Sequence, residues 1–224
     1  MRLTFAIGDI HGCRSLLTEL LTRIDPDPQA DTIIVLGDFI NRGPDSRGTI
    51  DLLLQLRERY RNFIVLRGNH EQMLLDYLAG LNRDFFLLVG GRETLTSYGV
   101  DPSAEADPDT WLPAEHRALL TDLPTLYENE HGIYVHAGLQ PGVHLSQQST
   151  EWLLWVRDEF IKSFYDFGKP VVFGHTPFAD PLLTANKIGI DTGAVYGGSL
   201  SCLILPDFKF VSVSAAGRRW WPRS

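Results

Sequence analysis

Gly8-Asp9-Ile10-His11-Gly12 follows directly on the apolar run Leu3-Thr4-Phe5-Ala6-Ile7. The run has the length and character of a buried strand. Behind it, Asp9 and His11 stand two residues apart, so extended backbone would turn both side chains to one side. A hard carboxylate beside an imidazole suits Mn, Fe or Zn better than Ca. The flanking glycines allow a tight turn and close backbone approach.

The same pattern, an apolar run that ends in polar chemistry, repeats along the chain. Thr32–Leu36 is a second, β-branched run and leads into Gly37-Asp38-Phe39-Ile40-Asn41-Arg42-Gly43. Phe63–Leu66 leads into Arg67-Gly68-Asn69-His70-Glu71. Further on come Tyr134-Val135-His136-Ala137-Gly138 and Phe173-Gly174-His175-Thr176. Helical patterns follow the first three runs: Ser15–Ile24, Ser46–Tyr60 with Ser46 as N-cap, and Glu71–Leu78. This alternation predicts an α/β architecture with parallel strands and helical crossovers. Such sheets bind ligands at the carboxyl ends of their strands.

Residues 80–125 read differently. Asp101–Asp109 is rich in Pro, Asp and Ala and predicts a loop, while 84–98 and 113–121 predict short helices. The stretch reads as a cap-like insertion in a single domain spanning 1–224. Beyond it, strands are expected over 132–136, 170–173, 187–190, 200–205 and 208–214, with Pro206-Asp207 turning the last pair. The tail Arg218–Arg223 reads as either docked or frayed.

The 224 residues, 44% hydrophobic and 21% charged, suit one globular domain with its own core. The net charge of −8 argues against a nucleic-acid partner, which favours a basic face. It does not argue against an anionic substrate, because bound cations reverse the local field. Cys13 and Cys202 form no disulfide or metal pattern, so a reducing compartment is the default. No leader pattern is visible, and no apolar run nears the roughly 20 residues of a membrane span. A cytoplasmic protein with no membrane partner is expected. The sequence does not report the oligomeric state.

Taken singly, each motif has a bland reading. Asp9, Asn41 and Asn69 are plausible helix caps. An isolated His136 or His175 is more often structural, and Arg157, beside Trp155, reads as a surface arginine. Together, four histidines, two aspartates and an asparagine at strand ends meet at one sheet edge, and that convergence predicts a metal site. His116, His131 and His144 lack this context and read as surface or loop residues.

The ordered set Gly-Asp-x-His-Gly, Gly-Asp-x-x-x-Arg-Gly, Gly-Asn-His-Glu, His-Ala-Gly and Gly-His-Thr resembles the phosphoprotein phosphatase family of metallophosphoesterases. The small bacterial and phage-type serine/threonine protein phosphatases are the nearest branch. Trp155 with Arg157, and Asp191-Thr192-Gly193-Ala194-Val195, resemble that branch too. The motifs run from Gly8 to Gly198. The resemblance implies the calcineurin-like metallophosphoesterase fold, a four-layer α/β/β/α sandwich with a dinuclear site on one edge. It implies two divalent ions, Mn2+ first, with Fe or Zn as alternatives. Asp9 and His11 would bind one, Asn69, His136 and His175 the other, and Asp38 would bridge. Arg42, Arg157 and Asn69 would hold the phosphate, and His70 would be the general acid. The implied substrate is a phosphoprotein or phosphopeptide. Phosphoserine and phosphothreonine monoesters come first, then phosphotyrosine and aryl phosphates. Two ions about 3.5–4 Å apart would activate the attacking water.

The chain departs from the family at Asn41, where an aspartate usually stands beside the acid histidine. A carboxylate stabilises imidazolium; an amide brings no charge. His70 is therefore expected to be a weaker proton source, and Asn41 joins the catalytic positions. Asp45 is a nearby carboxylate in the sequence that would substitute if it reached His70. Diadenosine tetraphosphatases share this departure and are the second reading, although Glu71 stands where they carry aspartate. A non-catalytic phosphate-binding scaffold is a third reading; it would require a lost ligand, and none is lost.

Overall fold

The computed structural model describes residues 2–104 and 107–214, so the tail Arg218–Arg223 lies outside the described residues. Strands β1 (Thr4–Ile7), β2 (Thr32–Val35) and β3 (Asn62–Val65) alternate with helices α1 (Arg14–Ile24), α2 (Ser46–Arg59) and α3 (Asn69–Leu78). The short helices α4 (Arg83–Phe86), α5 (Arg92–Ser97), α6 (Pro108–Trp111) and α7 (Ala114–Thr121) come next, with a π-helical turn, Leu87–Gly91, between α4 and α5. Then follow β4 (Leu126–Glu128), β5 (Ile133–Val135), α8 (Thr150–Trp155), α9 (Asp158–Ile161), β6 (Val171–Phe173), β7 (Leu182–Leu183), β8 (Lys187–Gly189), β9 (Asp191–Thr192), β10 (Ser199–Leu205) and β11 (Lys209–Ser214).

Two sheets result. One runs β11-β10-β1-β2-β3, with β9 beside β10; the other runs β4-β5-β6-β8-β7. The β1–β2 and β2–β3 pairs are parallel, as are β5–β6 and β6–β8. Successive side chains on a strand point to opposite faces, and here both faces are dry. Ala6, Ile34, Leu36, Leu66 and Leu203 meet Tyr134, Val172 and Ile188 between the sheets. Phe5, Ile7, Ile33, Val35 and Cys202 face the other way, onto Leu17, Leu20, Leu53 and Leu74 of α1–α3. Ile133, Val135, Val171 and Phe173 pack outward on Leu153, Leu154 and Phe160 of α8 and α9. Burial on both faces explains why the runs read as continuous apolar segments rather than alternating ones. The layers are helix, sheet, sheet, helix: the calcineurin-like sandwich.

The structure corrects several expectations. Ser46 is the first residue of α2, and Asp45 caps it by accepting a hydrogen bond from Gly48 N. Asp45 also pairs at the surface with Arg14 at 3.6 Å, so it does not stand in for a carboxylate at His70. Helix α3 begins at Asn69, two residues earlier than expected. Asp9, Asn41 and Asn69 cap none of these helices. Part of the expected loop 101–109 starts α6, whose N-cap is Asp107. Strands β4 and β7 and helices α8 and α9 were not expected; at two to six residues each, tertiary packing rather than propensity creates them.

His116 is the largest correction. It is 1% exposed, inside α7, not a surface residue. Tyr98 OH donates to its Nδ1 at 2.6 Å, and its Nε2 donates to Asp51 at 2.9 Å. The relay ties α7 and the end of α5 to α2. Removing the ring leaves a cavity and a buried hydroxyl without its acceptor. We expect His116→Ala to lower the unfolding free energy by about 2–3 kcal/mol in urea titration. His131→Ala, in a loop, should stay within about 0.5 kcal/mol. Equal effects would contradict the relay.

Candidate metal centre

The motif residues converge where the ends of both sheets meet, rather than along the edge of one. The turns after β1 and β2 are stitched together: Ile10 N and His11 N both donate to Asp38 O, at 3.1 and 2.8 Å. The opposite sheet joins them. His136 Nδ1 donates to Leu36 O at 2.9 Å, and His175 N donates to both oxygens of Asp9, at 3.2 and 3.1 Å. Gly174 is required there, because a Cβ would collide with Asp9 Oδ1.

The backbone is bent hard at these positions. Among the described residues, eight non-glycines have positive φ, and His11, Asp38, Asn41, Arg42 and His175 are five of them. Left-handed backbone disfavours side-chain-bearing residues and concentrates at functional sites. His11, at φ 45°, is therefore on a turn. It does not share the extended backbone with Asp9 that the sequence suggested.

Three histidines show what the site is built to hold. A carbonyl oxygen only accepts, so a ring nitrogen bonded to one must carry the hydrogen. His11 Nδ1 is bonded to Ile40 O at 2.9 Å, His136 Nδ1 to Leu36 O at 2.9 Å, and His175 Nε2 to Trp155 O at 3.2 Å. In each neutral ring the other nitrogen then carries a lone pair, which in His11 receives a hydrogen bond from Arg42. Those of His136 and His175 face Asn69 Oδ1 at 2.9 and 3.0 Å. That of His136 also faces Asp38 Oδ1 at 3.4 Å, and that of His11 lies 3.7 Å from Asp38 Oδ2. A cation between them would satisfy lone pairs directed at carboxylate and amide oxygens. Carbonyl-pinned imidazoles are the usual outer support of metal ligands. The residues fit divalent ions.

Two ligand groups share Asp38. One is His11, Asp38 and His70; the other is Asp38, His136 and His175. Asp9 is not within these groups, but it sits against His175 through its backbone bonds. Arg42 Nη1 donates to His11 Nε2 at 2.7 Å, and its guanidinium lies over the Tyr196 ring at 5.5 Å. Arg157 is exposed at the N-cap of α9 and makes its charge felt at Asp38, His136, His175 and Asp191. His70 Nδ1 meets Asn41 Nδ2 at 2.9 Å, and His70 Nε2 lies 3.9 Å from Asp38 Oδ2.

The electrostatics agree with this donor set. Burial, then repulsion from Asp191 and Asp38, pushes the Asp9 carboxyl well above its ordinary range. Burial pushes Asp38 up to about 7. Burial lowers His11 to about 3, with Arg42 adding to it, and lowers His136 to about 4 and His175 to about 2. The rings are thus neutral ligands at physiological pH, while the Asp9 and Asp38 carboxyls bind protons more readily than free carboxyls do, and a bound cation would compete with those protons.

Two site residues were not assigned from sequence. Glu71 is fully buried and accepts from Gly68 N, Asp38 N and Phe39 N at 2.8, 2.8 and 2.9 Å. It locks the turn that carries Asp38; its place in Gly-Asn-His-Glu was the available signal. Asp191 is buried, and its carboxyl is also pushed up by burial. Its strand is two residues long, too short to read from sequence.

A family model for calcineurin-like phosphoesterases matches residues 3–211. The chain belongs to the calcineurin-like phosphoesterase family. It is a metallophosphoesterase, a hydrolase of phosphate esters, and members of this family normally bind two divalent metals. Serine/threonine-protein phosphatase 1 of Salmonella typhimurium is 35% identical over 215 residues, covering 89% of this chain and 90% of that one. The asymmetrical bis(5'-nucleosyl)-tetraphosphatase PrpE of Oceanobacillus iheyensis is 29% identical over 236 residues, covering 93% and 91%. A crystal structure of a candidate diadenosine tetraphosphatase superposes with a TM-score of 0.74 at 26% identity, covering 96% and 95%. No helix among the described residues is long and apolar enough to cross a membrane.

Metal binding to this phosphoesterase should therefore release protons from carboxyls, not from histidines. Asp38 is raised, so the metal-stripped protein gains protons as pH falls through about 7, and affinity falls with it. Calorimetric titration with Mn2+ at pH 6, in two buffers of different ionisation enthalpy, should register release that fades by pH 8.5. Release that is absent at pH 6 would contradict the assignment.

Proposed function

We propose that this phosphoesterase is a metal-dependent phosphoprotein phosphatase. It would hydrolyse phosphoserine and phosphothreonine monoesters, with phosphotyrosine and aryl phosphates also accepted. The carrying observation is the convergence of the carbonyl-pinned His136 and His175 lone pairs on the oxygens of Asn69 and Asp38. Asp9, His11, Asp38, Asn69, His136 and His175 would hold two divalent ions, Mn2+ first, with Asp38 shared. Bound there, such ions supply Lewis acidity and an activated water for attack in line at phosphorus. The similarity to the Salmonella serine/threonine phosphatase supports the monoester class.

The protein's own groups divide the remaining work. Arg42 is a planar fork held against His11 and Tyr196, ready to donate to phosphate oxygens. Arg157 offers a second guanidinium from the exposed rim. Asn69 lies close enough to contact a phosphate oxygen as well. His70 delivers a proton to the leaving oxygen from Nε2. Burial first, then the neighbouring His11 ring and the Arg42 guanidinium, hold His70 well below its ordinary range. The Asn41 amide adds no negative charge to oppose them.

That neutral partner favours a second reading, hydrolysis of dinucleoside tetraphosphates. A nucleotide leaves a phosphoanhydride with little need of a proton, whereas a serine alkoxide needs one. Two relatives named above carry that activity in their descriptions.

The test is steady-state hydrolysis by Mn2+-reconstituted protein of p-nitrophenyl phosphate, a phosphothreonine peptide and diadenosine tetraphosphate. Turnover of the first two, lost in Asp38→Asn, supports the phosphatase. Dominant turnover of the dinucleotide promotes the second reading, and no turnover of any sinks both. A separate prediction concerns Asn41→Asp. It should raise peptide turnover by a larger factor than aryl phosphate turnover, and equal factors would remove the argument about proton supply.

A further inference from the structure

The π-helical turn Leu87–Gly91 lies far along the chain from Arg42, yet it packs against that arginine. Arg42 N donates to Gly90 O at 2.9 Å. Gly90 leaves the helical path, at φ 111° and ψ 11°. That conformation disfavours any residue with a side chain. Space forbids one as well. A Cβ on Gly90 would stand 2.6 Å from both the backbone N and the Cγ of Arg42, and 3.0 Å from its Cα. Carbon atoms in contact sit about 3.5–4.0 Å apart. The first carbons of the Arg42 side chain therefore lie directly against the backbone of Gly90.

Arg42 depends on such a support. Asn41 and Arg42 have φ of 68° and 67°, two consecutive left-handed residues that are not glycine. Backbone of this kind persists only where its surroundings over-determine it. The turn is itself firmly held. Phe86, just before it, is fully buried and stacks on Tyr77 of α3 with ring centroids 4.8 Å apart. Leu87 is buried in the same core. Past the turn, Arg47 N of α2 donates to Ser97 Oγ of α5 at 3.1 Å. The segment 83–97 is thus anchored on both sides of Gly90. From the backbone it supports, the Arg42 guanidinium reaches His11 Nε2 at 2.7 Å and lies over the Tyr196 ring. The turn, Leu87-Leu88-Val89-Gly90-Gly91, has no polar side chain to offer a phosphate.

We propose that Gly90 is a positioning residue for phosphate binding. The π-helical turn sets the backbone and stem of Arg42, and through them the guanidinium. Such turns are rare and concentrate at functional sites; here the missing side chain at Gly90 is what lets the arginine sit. The inference rests on the phosphate-binding role proposed for Arg42.

The experiment measures kcat and KM of the Mn2+-loaded enzyme on p-nitrophenyl phosphate, with inorganic phosphate as competitive inhibitor. Gly90→Ala should raise KM and the phosphate inhibition constant about tenfold, the size of one lost charge-assisted hydrogen bond. The rise should exceed any fall in kcat, with bound metal unchanged. Gly99→Ala controls for backbone strain alone: Gly99 also has positive φ, 78°, but nothing lies within 4 Å of where its Cβ would stand. It should leave both constants unchanged. In an Arg42→Ala background, Gly90→Ala should add nothing, because the group it acts through is gone. A silent Gly90→Ala, an equal effect of Gly99→Ala, or an undiminished effect in the Arg42→Ala background overturns the proposal. Should Gly90→Ala not fold, amide hydrogen exchange of the unmutated turn decides. Coupling between two sites is reciprocal, so saturating inorganic phosphate should slow exchange across 87–91 in the wild type and not in Arg42→Ala. No slowing, or slowing that survives Arg42→Ala, overturns the proposal as well. Arg42→Ala alone separates the two levels. If it leaves KM and the phosphate inhibition constant unchanged, the phosphate-binding role of Arg42 is wrong; if it raises them while Gly90→Ala is silent, only the role of Gly90 is wrong.

Discussion

Four carboxyl groups, Asp9, Asp38, Glu71 and Asp191, are buried where the two sheets meet. Each is pushed above its ordinary range, by burial first. Negative charges gathered in a dry region repel one another and lose their hydration, so such a cluster persists only with compensation. Arg42 and Arg157 supply part of it. The lone pairs of His11, His136 and His175 supply none, because they are themselves acceptors. Divalent cations answer both deficits together. The remaining features of the site read as devices for keeping this cluster in place.

The sandwich performs that task by making two sheets converge. One sheet carries Asp9, Asp38, Asn69 and His70 at its strand ends, and the other carries His136 and His175. Contacts cross between them: His136 reaches Leu36 O, and Asp9 receives the His175 backbone N–H. The group of His11, Asp38 and His70 comes from one sheet, but the group of Asp38, His136 and His175 needs both. Opening the sandwich would therefore dismantle the centre before it unfolded either sheet. Glu71 plays a local version of the same part, since its carboxylate holds the backbone of the Asp38 turn against the start of α3.

Much of this was legible in the residues. Apolar runs ending in Gly-Asp or Gly-Asn-His marked strands whose ends carry chemistry, because burial on both faces leaves no polar position inside such a strand. The partners of His70 were less legible. Asn41 stood out as a departure, but Thr94 and Ser46 lie 53 and five positions away from it and meet it only through packing. His116 was misread for the same reason: its partners Tyr98 and Asp51 come from other helices. Short elements such as β7, β9 and α9 have too few residues for periodicity to appear.

The sequence by itself determined the family, the α/β alternation and the identity of the residues gathered at the strand ends, because those depend on local pattern and on chemistry that few residue types possess. Only the tertiary structure decided which nitrogen of His11, His136 and His175 meets a backbone carbonyl and which buried groups surround Asn41. It also decided that the ligands come from two sheets. Those outcomes depend on hydrogen-bond partners distant in the chain. A carbonyl that can only accept, or a hydroxyl buried away from water, sets the direction of each contact once folding has brought it there.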